Sequence, residues 1–357
     1  MGASGPPHKQ SHDLALWPQL RDNHNLESKN RLNRINVAVL FGGRSGEHEV
    51  SVRSAESVKR ALNPAKYNVI EIFITKEGKW EPGPIVPEPG GNAGIDVVFP
   101  VLHGTFGEDG TVQGLLEMAE LPYVGAGVLA SALSMDKAAM KRVCRDAGLP
   151  VVEYAVLDRA NLNGDGFVPP FAFPVFVKPA NLGSSVGISK AKNQDELASA
   201  LRMAARYDRK IVIERGIAGR EFECAVLGGN PPAAAAPCEI LPSREFYDYE
   251  DKYILDTAKI ELPAKLTREQ TAEMQRLATA CFEAVGCEGM GRVDFLMETA
   301  TGRFYVNEIN TIPGFTSISM YPKMWEYSGI PYPELLDRLI GLALERASTH
   351  RNTQYSK

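Results

Sequence analysis

The sequence predicts an α/β protein that begins with an open parallel layer and continues into further strand-and-helix lobes. Three observations predict this. Residues 35–41 (INVAVLF) form a near-continuous apolar run, as expected of a strand buried on both faces of a parallel sheet. Further apolar strands at 68–74 and 96–101 alternate with helical patterns at 47–62 and 111–120, the order of an open α/β layer with ligand loops at the strand carboxyl ends. The chain has 357 residues, 44% hydrophobic and 23% charged, which suits a globular protein of two or three domains.

The composition also excludes several classes. A net charge of -5 lacks the basic footprint of a nucleic-acid binder. The five cysteines are scattered, without CxxC spacing, and read as core thiols in a reducing, cytoplasmic compartment. No apolar run approaches the roughly 18 residues of a membrane span. Residues 1–33 are polar, with early Pro and Gly and no apolar h-region, and read as a disordered extension.

The ligand loops of the first layer are 42–47 (GGRSGE) and 102–109 (LHGTFGED). The first is not a dinucleotide fingerprint: GxGxxG is absent, and no acidic residue ends the next strand. Residues 135–147 read as an amphipathic helix with Ala139, Met140, Val143 and Ala147 on one face and Lys137 away from it. A solvated Lys137 is the default on that local pattern.

Residues 174–177 form an apolar strand that delivers Lys178, stops at Pro179 and is followed by the loop NLGSSVG. A lysine leaving a strand beside a Gly-Ser-Ser loop suits a phosphate, because backbone N–H groups close over the anion and the ammonium adds a point charge. A mobile linker is the alternative. A helix at 192–205 is followed by strands at 210–214 and 220–227, with Glu214 closing the first and Glu221 opening the second. Such a strand–turn–strand can hold an adenine and ribose, or simply carry exposed acids. Residues 243–257 (SREFYDYEDKYILDT) are dense in aromatics and charges without a clean period, which suggests a lid. Helices are expected at 267–285 and 332–345.

Residues 291–298 and 303–309 read as two strands joined by a turn at 299–302. Side chains two apart share a face, so Arg292 and Asp294 point together, as do Glu308 and Asn310. If the strands pair, two carboxylates and an amide oxygen converge beside one arginine, an all-oxygen set of the kind that holds Mg²⁺. A surface hairpin with ordinary salt bridges fits the local sequence equally well.

The order of these features resembles the ATP-grasp superfamily and, within it, the D-alanine–D-alanine ligase family. Seven strings carry the resemblance in order: GGRSGEHEVS at 42–51, LHGTFGEDG at 102–110, GVLASALSMDK at 127–137, GSSVG at 183–187, YDYEDKY at 247–253, GRVD at 291–294 and NEINTIPGFTSIS at 307–319. It runs from about residue 35 to 346.

The resemblance implies ATP-dependent joining of two D-alanine molecules through an acyl phosphate, for peptidoglycan precursors. Asp294, Glu308 and Asn310 are implied to hold two Mg²⁺ ions, with Mn²⁺ as a substitute and a monovalent cation as a candidate activator. Lys137, Lys178, Ser184, Ser185, Glu214, Glu221 and Lys252 are implied to bind ATP, Glu221 at the ribose and Glu214 at the adenine. Glu47 is implied to hold the ammonium of the first D-alanine, with Ser184 and Tyr253 linking it to the reacting amine. Arg292 and the Gly314 N–H are implied to stabilise the oxyanion. Ser319, with Met320 beside it, is implied to shape the second substrate pocket. His103 lies near substrate by analogy or is a structural histidine.

The implied fold is α+β ATP-grasp: an open parallel α/β substrate domain at 34–134, then two lobes at 135–214 and 215–350 that sandwich ATP. Residues 243–258 form the lid and 351–357 a tail. The partners expected are D-alanine, ATP and a second copy of the chain, with no nucleic acid and no membrane. Lid residues Asp251-Lys252-Tyr253 resemble the dipeptide-forming branch rather than ligases that use D-lactate. D-serine as second substrate, or another ATP-grasp carboxylate–amine ligation, remains the alternative.

Overall fold

A computed structural model describes residues 34–162, 166–183, 186–241, 259–351 and 354. The expected extension at 1–33, the lid at 243–258, and Ser184, Ser185, Lys252 and Tyr253 lie outside the described residues.

The first sheet is built from β1 (Ile35–Gly42), β2 (Tyr67–Ile74), β3 (Trp80–Glu81) and β4 (Val97–Pro100), in the order β3-β2-β1-β4. Strand β1 pairs in parallel with both β2 and β4, and its centre from Val37 to Leu40 is fully buried, as the apolar run predicts. Gly42 ends β1 at φ 91°, and a Cβ there would meet the Ile74 carbonyl oxygen at 2.2 Å. Only glycine turns the chain at that point into the first ligand loop. Helix α1 (His48–Ala61) follows, with Glu47 at its N-cap.

Two short helices come next. Helix α2 (Thr111–Met118) matches expectation, whereas α3 (Val128–Met135) was not read from its short, nearly all-apolar sequence. The expected domain boundary at 134/135 therefore falls inside a helix. Helix α4 (Lys137–Asp146) starts where Asp136 accepts hydrogen bonds from the Ala138 and Ala139 N–H groups. Its buried face is not the one predicted. Lys137, Ala138, Met140, Lys141 and Cys144 face inward, while Ala147 is exposed. Two lysines on the inner face defeat a hydrophobic-periodicity reading, because periodicity assigns charges to solvent.

The second sheet comprises β5 (Tyr154–Asp158), β6 (Val175–Pro179), β7 (Ser189–Ala191) and β8 (Lys210–Arg215), ordered β5-β8-β6-β7 and antiparallel throughout. Lys178 and Pro179 are part of β6 rather than beyond its end. Helix α5 (Gln194–Ala204) covers this sheet through Leu197, Ala200, Leu201 and Ala204.

The third sheet contains β9 (Gly219–Leu227), β10 (Ala233–Ala234), β11 (Cys238–Leu241), β12 (Lys259–Glu261), β13 (Met290–Glu298) and β14 (Phe304–Asn310). Its order is β12-β11-β9-β13-β14, with β10 beside β9. Helix α6 (Arg268–Ala284) packs on it through Met274, Leu277, Ala278 and Cys281. A reciprocal capping box between Thr267 and Gln270 starts that helix. Helices α7 (Met320–Tyr327) and α8 (Tyr332–Arg351) close the chain, α8 running six residues beyond its predicted end. Among the described residues no helix is long and apolar enough to cross a membrane.

Candidate active site

The predicted hairpin forms in the register that the site needs. Asp294 pairs with Glu308, and Arg292 with Asn310, across antiparallel β13 and β14. Burial alternates along β13, with Val293, Phe295 and Met297 inward and Arg292, Asp294 and Leu296 on the other face. Arg292 grips Asp294 through two parallel 2.7 Å hydrogen bonds, from Nε to Oδ1 and from Nη2 to Oδ2. The Asn310 amide donates a further bond of 3.1 Å to Asp294 Oδ2. Burial opposes the charge on Arg292, but Asp294 and then Glu223 outweigh it and hold its pKa well above the usual range. Arg292 thus pairs with the carboxylates, as its position in the hairpin suggests.

The set Asp294, Glu308 and Asn310 offers oxygen ligands, the chemistry of a hard cation such as Mg²⁺. Two acids and an amide are fewer acids than a dedicated protein cage uses, and no group of three His, Cys, Asp or Glu side chains among the described residues is placed to hold a metal. Mg²⁺ shared with substrate phosphates needs only one or two protein carboxylates, so the residues present fit it.

Beside the clamp lies a buried charge cluster from four elements. Lys178 Nζ on β6 is 2.8 Å from Glu214 Oε2 on β8, and Lys141 Nζ on α4 is 3.1 Å from Glu214 Oε1. Asn307 on β14 accepts from both lysines, through Oδ1 from Lys178 at 3.3 Å and through its carbonyl from Lys141 at 3.4 Å. Lys137 donates to the Leu182 carbonyl at 2.6 Å and lies 3.5 Å from Glu308 Oε2. It is 5% exposed, which removes the solvated reading. Glu214 is 2% exposed, so it is not a surface acid. Burial alone would raise its pKa, but Lys141 and Lys178 hold it at about 2. Glu214 lifts Lys178 above the usual lysine range against burial. At Lys141 burial dominates and the shift is downward. Glu221, at the start of β9, is half-buried.

The other end of the site is a network of loops. Glu47 lies against the 102–110 loop: a Cβ on Gly104, at φ 72°, would sit 2.6 Å from Glu47 Oε2. Ser45 ties the two loops together, donating to the His103 carbonyl at 2.7 Å and accepting from the Glu47 N–H at 3.2 Å. The His103 ring is buried between Ser54 Oγ and the Ile312 carbonyl, each at 3.0 Å. Burial lowers its pKa, so it sits neutral as a structural cross-link. Glu108 accepts from the Gly104 N–H at 2.8 Å and the Ile312 N–H at 3.1 Å. Burial and then Glu47 push its pKa up to about 8, against the pull of those two bonds.

Ser54 Oγ also accepts from the Phe315 N–H at 3.2 Å. The 312–315 segment that contains Gly314 is thereby fastened to α1 and to the first ligand loops. Ser319 Oγ accepts from the Thr316 N–H at 3.0 Å, and a Cβ on Gly314 would lie 2.6 Å from that oxygen. Met320 is buried in the main hydrophobic cluster.

Both parts of the chain match a family description. Residues 36–88 and 85–126 match the D-ala D-ala ligase N-terminus, and residues 143–341 match the D-ala D-ala ligase C-terminus. The chain belongs to the D-alanine–D-alanine ligase family. A D-alanine–D-alanine ligase from Solibacter usitatus is 63% identical over 91% of this chain and 99% of its own length. Another, from Acetivibrio thermocellus, is 48% identical over 87% and 96%. The solved D-alanine–D-alanine ligase from Coxiella burnetii superposes with a TM-score of 0.78 at 38% identity, covering 89% of this chain and 96% of that one. The VanG D-Ala:D-Ser ligase from Enterococcus faecalis also gives 0.78, at 35% identity, covering 87% and 99%. The fold is therefore that of the ATP-grasp ligases.

Within this D-alanine–D-alanine ligase fold the structure brings together Lys137, Lys178, Glu214, Arg292, Asp294, Glu308 and Asn310 from α4 and the second and third sheets. Three further residues join them that the sequence did not single out: Lys141, Glu108 and Glu223. Lys141 lies one turn after Lys137 on the same helix face, so it follows once the structure shows Lys137 buried. Glu223 was legible as an acid two positions after Glu221 in an apolar strand. Glu108 sits within the LHGTFGEDG string but gives no local sign of burial.

Proposed function

We propose that this chain joins two D-alanine molecules to D-alanyl-D-alanine at the expense of ATP, supplying the dipeptide for peptidoglycan precursors in the cytoplasm. The observation that carries the proposal is the register that sets Asp294 and Glu308 opposite one another, beside Arg292, in a member of this family.

A carboxylate oxygen of the first D-alanine attacks the γ-phosphorus of ATP. The β–γ bridge breaks, and an acyl phosphate and ADP form. The amine of the second D-alanine attacks the acyl carbon, loses a proton, and phosphate leaves. Lys137 and Lys178 are suited to pair with the ATP phosphates, and Glu221 with the ribose hydroxyls. Glu214, held between Lys141 and Lys178, is suited to the adenine. Bound through Asp294, Glu308 and Asn310, two Mg²⁺ ions, or Mn²⁺ in their place, would neutralise the phosphate charge that repels an attacking carboxylate. Glu47 is suited to the ammonium of the first D-alanine, by a charge-assisted bond in a partly dry site. Arg292 and the Gly314 N–H face the developing oxyanion. Ser319 is suited to the carboxylate of the second substrate. Ser184, Ser185, Lys252 and Tyr253 would complete the site, the last two from the lid.

The three-domain division at 34–134, 135–214 and 215–350 belongs to the same proposal, as does a homodimer. Likeness to a D-Ala:D-Ser ligase supports a second reading in which D-serine is the acceptor. The test is phosphate release from ATP and Mg²⁺ with and without D-alanine, with the product identified by mass. D-Alanine-dependent release of D-alanyl-D-alanine is expected. Release that does not depend on D-alanine would overturn the reading, and a mixed dipeptide when D-serine is added in equal amount would favour the second.

A further inference from the structure

Strand β13 is flanked by β14 on one side and by β9 on the other. Asp294 pairs with Glu308 on β14 and with Glu223 on β9. Paired residues project to the same face of a sheet. A row of three carboxylates, Glu223, Asp294 and Glu308, therefore crosses three neighbouring strands. The next row is Ala225, Arg292 and Asn310, so Arg292 is the cation set against the carboxylate row. Its Nη2 lies 2.7 Å from Asp294 Oδ2 and 3.4 Å from Glu223 Oε1. Glu223 is 7% exposed, between Arg292 and the thiol of Cys238.

Asp294 faces two demands under the proposed function. Both its oxygens hold Arg292, and Oδ2 also accepts from Asn310. As a metal ligand it must also offer an oxygen to the cation, which competes with that grip. A largely buried guanidinium that loses its carboxylate is strongly destabilised unless another anion takes its place. The proposed chemistry leaves Glu223 unused, and it is the other carboxylate already within reach.

We propose that Glu223 is a positioning residue for Arg292. It takes over the guanidinium as Asp294 turns to the metal, so that Arg292 stays paired and aimed at the reacting carbonyl. Arg292 thus exchanges between two carboxylates on neighbouring strands, and metal binding to Asp294 draws on that exchange. The inference rests on the ligase reading above.

The experiment measures Mn²⁺ binding to the full chain by electron paramagnetic resonance, with ADP present and no turnover. Glu223→Gln keeps the shape and removes the charge, so Arg292 loses its second ion-pair partner and depends more on Asp294. Weakening of Mn²⁺ binding by about tenfold is expected, the scale of one charge-assisted hydrogen bond. The weakening should vanish when Glu223→Gln is made in an Arg292→Ala background, because the residue acts through Arg292. Unchanged Mn²⁺ affinity, or a weakening that persists without Arg292, overturns the proposal. If Glu223→Gln does not fold, Glu223→Asp serves: it withdraws the carboxylate by one methylene and should also weaken Mn²⁺ binding, and wild-type affinity there overturns the proposal. Wild-type chain that binds no Mn²⁺ with ADP and releases no phosphate with D-alanine would overturn the ligase reading itself, and is thereby distinguished.

Discussion

Lys178 Nζ lies 2.8 Å from Glu214 Oε2 in the interior, on neighbouring strands of the second sheet. That contact ties the phosphate-seeking lysine to the carboxylate expected at the adenine. The pair does not stand alone, because Lys141 reaches the other Glu214 oxygen and Asn307 takes both lysines from the third sheet. Two lysines and one glutamate leave one net positive charge in the cluster, which suits the phosphate role proposed for it.

Lys141 is 0% exposed, and its loss should be felt. Lys141→Met removes one of the two counter-ions of Glu214. Breaking a buried pair from one side costs about 3 kcal/mol, which urea denaturation would read as a lower midpoint. A change no larger than that of an ordinary surface substitution would show that Lys178 alone satisfies Glu214.

The same cluster sets an acid limit. Glu214 is held at about 2 against an ordinary value of 4.5. A carboxyl depressed by folding contributes stability that is complete above its unfolded value and is lost as pH falls through its folded one. The window is therefore pH 4.5 down to 2, and the loss is of order 3 kcal/mol. Glu214→Gln has no such group, so its unfolding free energy should fall less steeply over that window than that of wild type. Parallel curves would remove Glu214 as the cause.

Arg292→Ala should separate binding from chemistry. With Lys137 and Lys178 intact, the dissociation constant for ATP should stay near that of wild type. Turnover should fall by about 10²- to 10³-fold, the effect of one oxyanion donor. Lost nucleotide affinity would instead assign Arg292 to the phosphate site.

Ser54 links α1, His103 and the Phe315 N–H by two bonds of 3.0 and 3.2 Å. Ser54→Ala leaves that buried N–H without its acceptor, at a cost of about 1–3 kcal/mol. The segment containing Gly314 and Ser319 should loosen with it. A raised KM for D-alanine with an unchanged KM for ATP is expected in steady-state kinetics. Equal rises in both would show that the change is not local to this loop.

The elements were largely legible. An apolar run marked β1, alternation marked β13, and paired polar residues two apart marked the clamp. The pairing of Asp294 with Glu308 was not legible, because a bulge between Asp294 and Phe295 shifts the register, and a regular ladder continued from the turn would have set Asp294 against Asn307. The buried face of α4 was not legible, because Lys137 and Lys141 turn inward to partners more than 40 residues away in sequence, Leu182 and Glu214. Likewise the burial of His103 and Met320 was not legible, because neither shows a local sign of it.

By itself the sequence determined which segments become strands and helices, and which polar residues of a single strand share a face, since these depend on periods of 2.0 and 3.6 and on turn chemistry. Its ordered strings also determined the family. Only the tertiary structure decided that Glu223 stands in line with Asp294 and Glu308, and that Glu214 is held by two lysines. Both arrangements arise where separate strands and a helix meet, and no period within one segment records which neighbour lies across a sheet.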